Sequence, residues 1–212
     1  NINLSIFKKE NAATTVASTI SIASKFGIKF FATGGIGGVH LNAENTYDVS
    51  ADLNSLSEHS NYIICSGAKS ILDLNKTYEL LETLGITRIG YKTNYMPGFW
   101  YSETKHQVDN NFKEISDITN FLRLNSKLKH NKSILIFNKV PEINAISKEK
   151  INEWINSALV RAEKNKINGK ALTPFLIKEI NNSSNNKTLK ANVSLIINNA
   201  DLAGKIAKNF YS

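Results

Sequence analysis

Short runs of β-branched and aromatic residues alternate along this chain with longer segments in which apolar residues recur every three to four positions. The short runs have the length and composition of buried strands, and the longer segments have the period of helices that pack on one face. This alternation is typical of an α/β fold, in which helices cover the faces of a mostly parallel sheet. A chain of 212 residues fits one domain, or at most two.

The predicted elements follow one another regularly. Strands are predicted at residues 28–32, 62–65, 86–91 and 133–137. Helices are predicted at residues 11–25, from a Ser50 cap to residue 58, from a capping box of Ser70 and Asp73 to Gly85, and at residues 112–124, 147–164, 174–180 and 189–210. The polar residues 127–132 and 181–187 are predicted to be connections.

Charge and hydropathy narrow the possible partners. The chain has 26 Lys and Arg residues against 18 Asp and Glu residues, and its net charge of +8 is compatible with a polyanionic partner. Only three of the basic residues are arginine, the side chain that nucleic-acid readers favour. RNA binding therefore rests on net charge alone, and we expect no nucleic-acid partner. No run approaches the ~18 apolar residues of a membrane span, so no membrane partner is expected either.

A single cysteine, Cys65, excludes an intramolecular disulfide and a thiolate metal site. The sequence therefore favours the cytoplasm or another reducing intracellular compartment. Cys65 ends an apolar run, and we expect its thiol to be packed rather than nucleophilic. The first residue is Asn1 rather than Met, which indicates that the natural N-terminus lies further upstream.

Four of the 11 glycines fall within residues 34–38, directly after a predicted strand. Glycines allow positive φ angles and let backbone N–H groups approach a phosphate or carboxylate closely. The spacing matches neither a P-loop nor a dinucleotide-binding fingerprint. Either this glycine loop, residues 33–40, binds an anion, or its glycines only allow close packing of the backbone.

Lys69 lies in the sequence CSGAKS, between the strand that ends at Cys65 and the helix predicted from Ser70. Ligands of α/β sheets bind at the carboxyl ends of the strands. The positive end of a helix dipole disfavours the charged ammonium form of a lysine that faces it, and partial desolvation has the same effect. Lys69 is therefore a candidate nucleophile for Schiff-base chemistry, and the alternative is a solvated surface lysine.

Residues 44–52, the acidic stretch, follow the glycine loop and contain Glu44, Asp48 and Asp52. Carboxylates near an anion site can hold a hydrated Mg²⁺ or Mn²⁺ ion. Helix capping by Ser50 and Asp52 is the ordinary alternative. The four histidines are too scattered to suggest a histidine-rich metal site.

Several motifs together resemble one family. They are FFATGGIGGVH, AENTYDVSADL, CSGAKSILDL, YELLETLGI, GKALTPFL and LKANVSLIINNADLAGKIA, and they follow in order over nearly the whole chain. This pattern is similar to that of the pseudouridine-5′-phosphate glycosidases, a family that includes the indigoidine synthase A-like proteins.

The resemblance implies a three-layer α/β/α fold, a homotrimer and a Mn²⁺ cofactor. It also implies reversible cleavage of the C–C glycosidic bond of pseudouridine 5′-phosphate into uracil and ribose 5-phosphate. A C-glycoside lacks the heteroatom leaving group that two-carboxylate glycosidases protonate. The family instead opens the ribose ring and forms a lysine imine at C1′, which serves as the electron sink.

The site residues implied by the resemblance are matched position by position. Lys69 matches the imine-forming lysine, Asp52 the metal-binding aspartate, and Asn192 the catalytic-site asparagine that contacts uracil. Thr33, Gly34 and Gly35, with Ser50, match positions at the phosphate end of the substrate.

The resemblance also implies that residues 1–212 form a single but partial domain. The family has an N-terminal third before the position that matches Asn1, and this segment carries the acid/base glutamate. An alternative function is therefore a non-catalytic homologue, or a subunit, that binds sugar phosphates without this glutamate.

Overall fold

The computed structural model describes residues 2–212, apart from the side chain of Lys170. Its centre is a five-stranded sheet of β1 (Phe30–Ala32), β2 (Tyr62–Cys65), β3 (Thr87–Tyr91), β4 (Asn110–Phe112) and β5 (Ile134–Phe137). The strand order is β1-β2-β5-β3-β4, and every neighbouring pair is parallel. The carboxyl ends of all five strands therefore lie at one edge of the sheet.

Strands β2 and β5 are buried on both faces, which explains their continuous apolar sequences YIIC and ILIF. Successive side chains of a strand point to opposite faces, so each strand contributes to both halves of the core. Tyr62 and Ile64 belong to one buried cluster, while Ile63 and Cys65 belong to the other.

Helices surround the sheet. They are α1 (Ile2–Phe7), α2 (Val16–Lys25), α3 (Ala43–Thr46), α4 (Ala51–Glu58), α5 (Leu74–Thr83), α6 (Ile115–Lys127), α7 (Lys148–Lys164), α8 (Leu172–Ser183) and α9 (Lys187–Tyr211). Short 3₁₀ turns occupy Glu142–Asn144 and Gly169–Ala171. None of the helices in the described part of the chain is long and apolar enough to cross a membrane.

The helices form a layer on each face of the sheet, which confirms the predicted α/β/α architecture. Helices α6 and α9 cover one face through Ile118, Leu202 and neighbouring side chains. On the other face, α2, α4 and α5 contribute Ile20, Leu53 and Leu81 to the second buried cluster. The long helix α9 joins both halves, because its Leu195 belongs to this second cluster.

Most predicted elements are confirmed, with shifted ends. The helix predicted at residues 11–25 begins only at Val16, because the Thr15 side chain caps it by accepting from the Ser18 N–H. The helix predicted from residue 112 begins at Ile115, and residues Asn110–Phe112 form the edge strand β4 instead. This strand was missed because its sequence, NNF, has no β-branched residue and its burial is partial.

Candidate active site

The glycine loop and the turn that contains Lys69 extend the pairing of β1 and β2 beyond the ends of these strands. The Ser66 N–H donates to the Gly34 carbonyl at 2.9 Å, and the Lys69 N–H donates to the Ile36 carbonyl at 3.1 Å. Ile36 and Ala68 also form an isolated parallel bridge. The two segments therefore run side by side at the carboxyl edge of the sheet, where parallel α/β proteins bind ligands.

Close packing explains two of the glycines here. A Cβ atom on Gly35 would lie 2.7 Å from the Phe99 ring, and a Cβ atom on Gly67 would overlap the Pro97 carbonyl oxygen. Gly67 also has a φ angle of +85°, which disfavours other residues. The loop of residues 92–109 thus packs directly on the two segments and brings Phe99 to the site.

A cleft of about 460 Å³ opens at this edge and brings together five of the predicted site residues. They are Thr33, Gly34, Gly35, Lys69 and Asn192. The remaining lining residues are Thr14, Thr15, Val16, Thr19, Phe31, Phe99, Val193, Leu195 and Ile196. The cleft is thus mainly apolar, with threonine hydroxyls, glycine N–H groups, one amine and one amide as its polar groups.

Lys69 is half-buried in this cleft and has no ion-pair partner in the described part of the chain. The prediction that it faces a helix starting at Ser70 is wrong. Helix α5 begins at Leu74 and is capped by Asp73, whose carboxylate accepts from the Lys76 N–H. The hydroxyl of Ser70 cannot serve as the cap because it is buried and donates to the Gly98 carbonyl at 2.6 Å.

Ser50 and Asp52 lie outside the cleft lining, at the start of α4. The Ser50 side chain caps this helix as predicted, accepting from the Asp52 N–H at 3.2 Å. Asp52 is only 5% exposed. Its two carboxylate oxygens accept from the N–H groups of Ala17 (2.8 Å) and Gly37 (2.7 Å). The carboxylate therefore holds the start of α2 against the glycine loop.

The residues present do not form a complete metal site. Each oxygen of Asp52 already accepts one backbone N–H, and no three His, Cys, Asp or Glu residues of the described chain lie close enough to hold an ion. The nearby carboxylate of Asp48 is more exposed than that of Asp52, and its oxygen lies 3.8 Å from Nδ1 of His40. A hydrated divalent ion takes most of its ligands from water, so Asp52 and Asp48 are the carboxylates of this region that could contact one.

Asn192 reaches the cleft from α9, and its side-chain oxygen accepts from the indole N–H of Trp100 at 2.6 Å. Trp100 is 2% exposed and follows Phe99 in the loop of residues 92–109. Sequence reasoning did not identify either aromatic residue as part of the site. No periodic pattern marks them, because they lie in a loop whose path is set by tertiary contacts.

Asn199, about two helical turns beyond Asn192 on α9, is another residue that sequence reasoning did not identify as part of the site. It is fully buried, and its side-chain nitrogen donates to the Thr33 carbonyl at 2.8 Å and to the Ser66 hydroxyl at 3.1 Å. Asn199 thus connects α9 to both segments that line the cleft. A signal was present, since this asparagine interrupts the apolar stripe that contains Leu195 and Leu202.

Cys65 ends β2 directly below the turn that carries Lys69. Its side chain is fully buried, and this burial raises the pKa of the thiol to about 12. The thiol is therefore protonated at neutral pH, which confirms that Cys65 is a packed residue and not a nucleophile.

Comparisons with known proteins agree with the α/β/α fold of this chain. A family model described as "Indigoidine synthase A like protein" matches residues 1–209. A pseudouridine-5′-phosphate glycosidase of Kosmotoga olearia is 43% identical over 206 residues, which cover 97% of this chain and 71% of the relative. The glycosidase of the same name from Escherichia coli K12 is 42% identical, and the match covers 95% of this chain and 64% of that relative.

Two solved structures have a similar fold. The prealnumycin C-glycosynthase AlnA, in complex with ribulose 5-phosphate, has a TM-score of 0.88 and 32% identity, covering 93% of this chain and 65% of that chain. An indigoidine synthase A-like protein from Thermotoga maritima also has a TM-score of 0.88, with 34% identity, covering 97% of this chain and 68% of that chain. The chain thus spans about two thirds of the length of the relatives that it matches.

Proposed function

Because this chain belongs to the family of indigoidine synthase A-like proteins, we propose that it reversibly cleaves pseudouridine 5′-phosphate into uracil and ribose 5-phosphate. The observation that carries the proposal is that Thr33, Lys69 and Asn192 all line the same cleft. An amine, an amide and a set of hydroxyl and N–H donors suit a sugar, a base and a phosphate, respectively. The names of the glycosidase relatives and the ribulose 5-phosphate complex of AlnA support the same substrate class.

The reaction would use Lys69 as a nucleophile. Its neutral amine attacks C1′, the bond from C1′ to the ring oxygen breaks, and that oxygen takes up a proton. A proton from water then adds to uracil C5 and the C1′–C5 bond breaks, while the nitrogen lone pair forms a protonated C1′=N imine, so uracil leaves as a neutral molecule. Water hydrolyses the imine, which releases ribose 5-phosphate and restores the amine.

The anion end of the substrate would lie on the glycine loop. The N–H groups of Gly34 and Gly35 donate to no group within residues 2–212, and the Thr33 side chain also lines the cleft. Backbone N–H groups in such a loop are suitable donors to a phosphate. Ser50 would act indirectly, because it caps α4 and packs against Gly37, where a Cβ atom would overlap its hydroxyl.

The test is to trap the imine in the full-length gene product. The protein is incubated with ribose 5-phosphate, reduced with borohydride and digested, and the adduct is located by mass spectrometry. We expect it on Lys69, with loss of both the adduct and the cleavage of pseudouridine 5′-phosphate in Lys69→Arg. Lys76→Arg is the matched control, since Lys76 is an exposed lysine paired with Glu44.

Three outcomes distinguish the proposed enzyme from the alternatives. Cleavage without an adduct at Lys69 would overturn the imine role. An adduct or tight binding of ribose 5-phosphate, without cleavage of pseudouridine 5′-phosphate, would favour a sugar-phosphate-binding homologue. Neither binding nor cleavage would overturn the proposed substrate class.

Manganese and a homotrimer, which the family resemblance implies, are also proposals. Asp52 would contact a hydrated Mn²⁺ through lone pairs that its two backbone N–H partners leave free. Electron paramagnetic resonance titration of Mn²⁺ should show weaker binding in Asp52→Asn than in Asp48→Asn, and the reverse order would move the ligand to Asp48. Light scattering of the full-length protein tests the trimer.

A further inference from the structure

The amide of Asn192 has a defined orientation because of its partner. The indole N–H of Trp100 is only a donor, so it must face the oxygen of the Asn192 side chain, 2.6 Å away. The indole thus engages the amide oxygen, while the amide nitrogen, with its two N–H groups, is the polar atom of Asn192 without a partner in residues 2–212. We propose that Trp100 is a specificity-determining residue, which makes Asn192 a hydrogen-bond donor, and not an acceptor, towards the molecule in the cleft.

The position of Trp100 is held by several independent contacts. Its side chain is 2% exposed, and its ring centroid lies 5.3 Å from that of Phe99. Its backbone N–H donates to the Gly98 carbonyl at 3.0 Å, and its carbonyl accepts from the Ile146 N–H at 2.8 Å. Because both the ring and the backbone of Trp100 are held by these contacts, its indole N–H stays directed at Asn192. The orientation of the Asn192 amide is therefore set before a ligand binds.

This orientation selects for one kind of base. An amide N–H donates to a carbonyl oxygen, which uracil has at two ring positions. An amino group at the same position would place two donors face to face and leave both without a partner, at a cost of about 1–3 kcal/mol or roughly 5- to 150-fold in affinity. The inference rests on the proposed function, because that proposal places the pyrimidine against Asn192. It adds that an oxo-pyrimidine is accepted and its amino counterpart is rejected.

The experiment compares three substrates in the full-length protein: pseudouridine 5′-phosphate and the analogues in which the 4-carbonyl or the 2-carbonyl is replaced by an amino group. We expect the natural protein to disfavour one analogue by at least about tenfold in kcat/KM. In Trp100→Phe this ratio should fall to about threefold or less, because the amide can then turn its oxygen to the ligand. Trp154→Phe is the matched control, since Trp154 lies on α7, is not the indole that donates to Asn192 and should leave the ratio unchanged.

A structural role for Trp100 predicts a different result. Loss of packing would lower kcat/KM for all three substrates by the same factor and leave the ratio intact, and this outcome would overturn the inference. Equal kcat/KM values for all three substrates in the natural protein would also overturn the inference. This comparison needs no variant, so the inference can still be tested if Trp100→Phe does not fold.

A second measurement is independent of turnover. In ¹⁵N spectra, the indole N–H of Trp100 should exchange with solvent more slowly than that of Trp154, and Asn192→Leu should remove this protection. Equal exchange rates in the natural protein would overturn the hydrogen bond. If pseudouridine 5′-phosphate is not cleaved at all, the proposed function fails, and calorimetry with free uracil and cytosine then decides the inference. Preference for uracil supports it, and equal affinity or no binding overturns it.

Discussion

Replacement of Asn199 by leucine tests whether one buried amide joins the two segments of the cleft. Leucine has the same branching and number of heavy atoms but no polar atoms, so the Thr33 carbonyl and the Ser66 hydroxyl both lose their bonds to Asn199, at 2.8 and 3.1 Å. A buried polar group without a partner costs about 1–3 kcal/mol, so the two together cost about 2–6 kcal/mol. Some of this cost is offset by the gain from burying an apolar side chain.

The loss can be measured by urea unfolding, followed by fluorescence and circular dichroism together. With a slope of about 2–3 kcal/mol per M, a loss of about 3 kcal/mol lowers the midpoint by about 1 M. Asn152→Leu is the control, because Asn152 is exposed on α7 and its replacement should change stability by less than about 0.5 kcal/mol.

A double-mutant cycle that combines Asn199→Leu with Ser66→Ala can refute the role of Asn199. In the natural background, Ser66→Ala removes the serine partner of Asn199. In the background of the Asn199→Leu variant, the same change removes a hydroxyl that already lacks that partner and should cost less. We expect a coupling energy of about 1–2 kcal/mol between the two sites. Equal costs in both backgrounds would show that Asn199 does not hold the two segments together.

Three further predictions concern single buried or stacked groups. Asp52→Asn should lower stability by about 2–4 kcal/mol in urea unfolding, because an amide has one acceptor oxygen for the two N–H donors of Ala17 and Gly37; an unchanged midpoint would contradict this. The Cys65 thiol, with a pKa of about 12, should not react with a thiol reagent at pH 8 until the protein is unfolded, when one equivalent should react. Burial, and then the charge of Lys105, lower the pKa of His106 below its usual value near 6.5. The unfolded chain therefore binds more protons, and the stability that neutral His106 contributes is lost as the pH falls below about 6.5; His106→Gln should reduce the pH dependence of the urea midpoint, and an identical profile would contradict the assignment.

Local sequence patterns determined the elements of this protein and their order. The short, β-branched apolar runs at β2 and β5 predicted buried strands, and the Ser50 cap located α4 to the residue, because these signals depend on neighbouring residues alone. The alternation of strands and helices predicted a parallel sheet, and a parallel sheet places its ligand site at the carboxyl ends of its strands. Lys69 and the glycine loop could be assigned to that edge for this reason, while the roles of Asp52 and Asn192 came from family resemblance.

Only the tertiary structure decided how these residues are held. The start of α5 at Leu74 depended on Ser70 being drawn to the Gly98 carbonyl, a contact with a residue 28 positions away. The orientation of Asn192 likewise depended on Trp100, which is 92 positions away. Sequence patterns carry information over one or two helical turns, whereas the polar groups of a buried site find partners on whichever elements the packed core brings next to them.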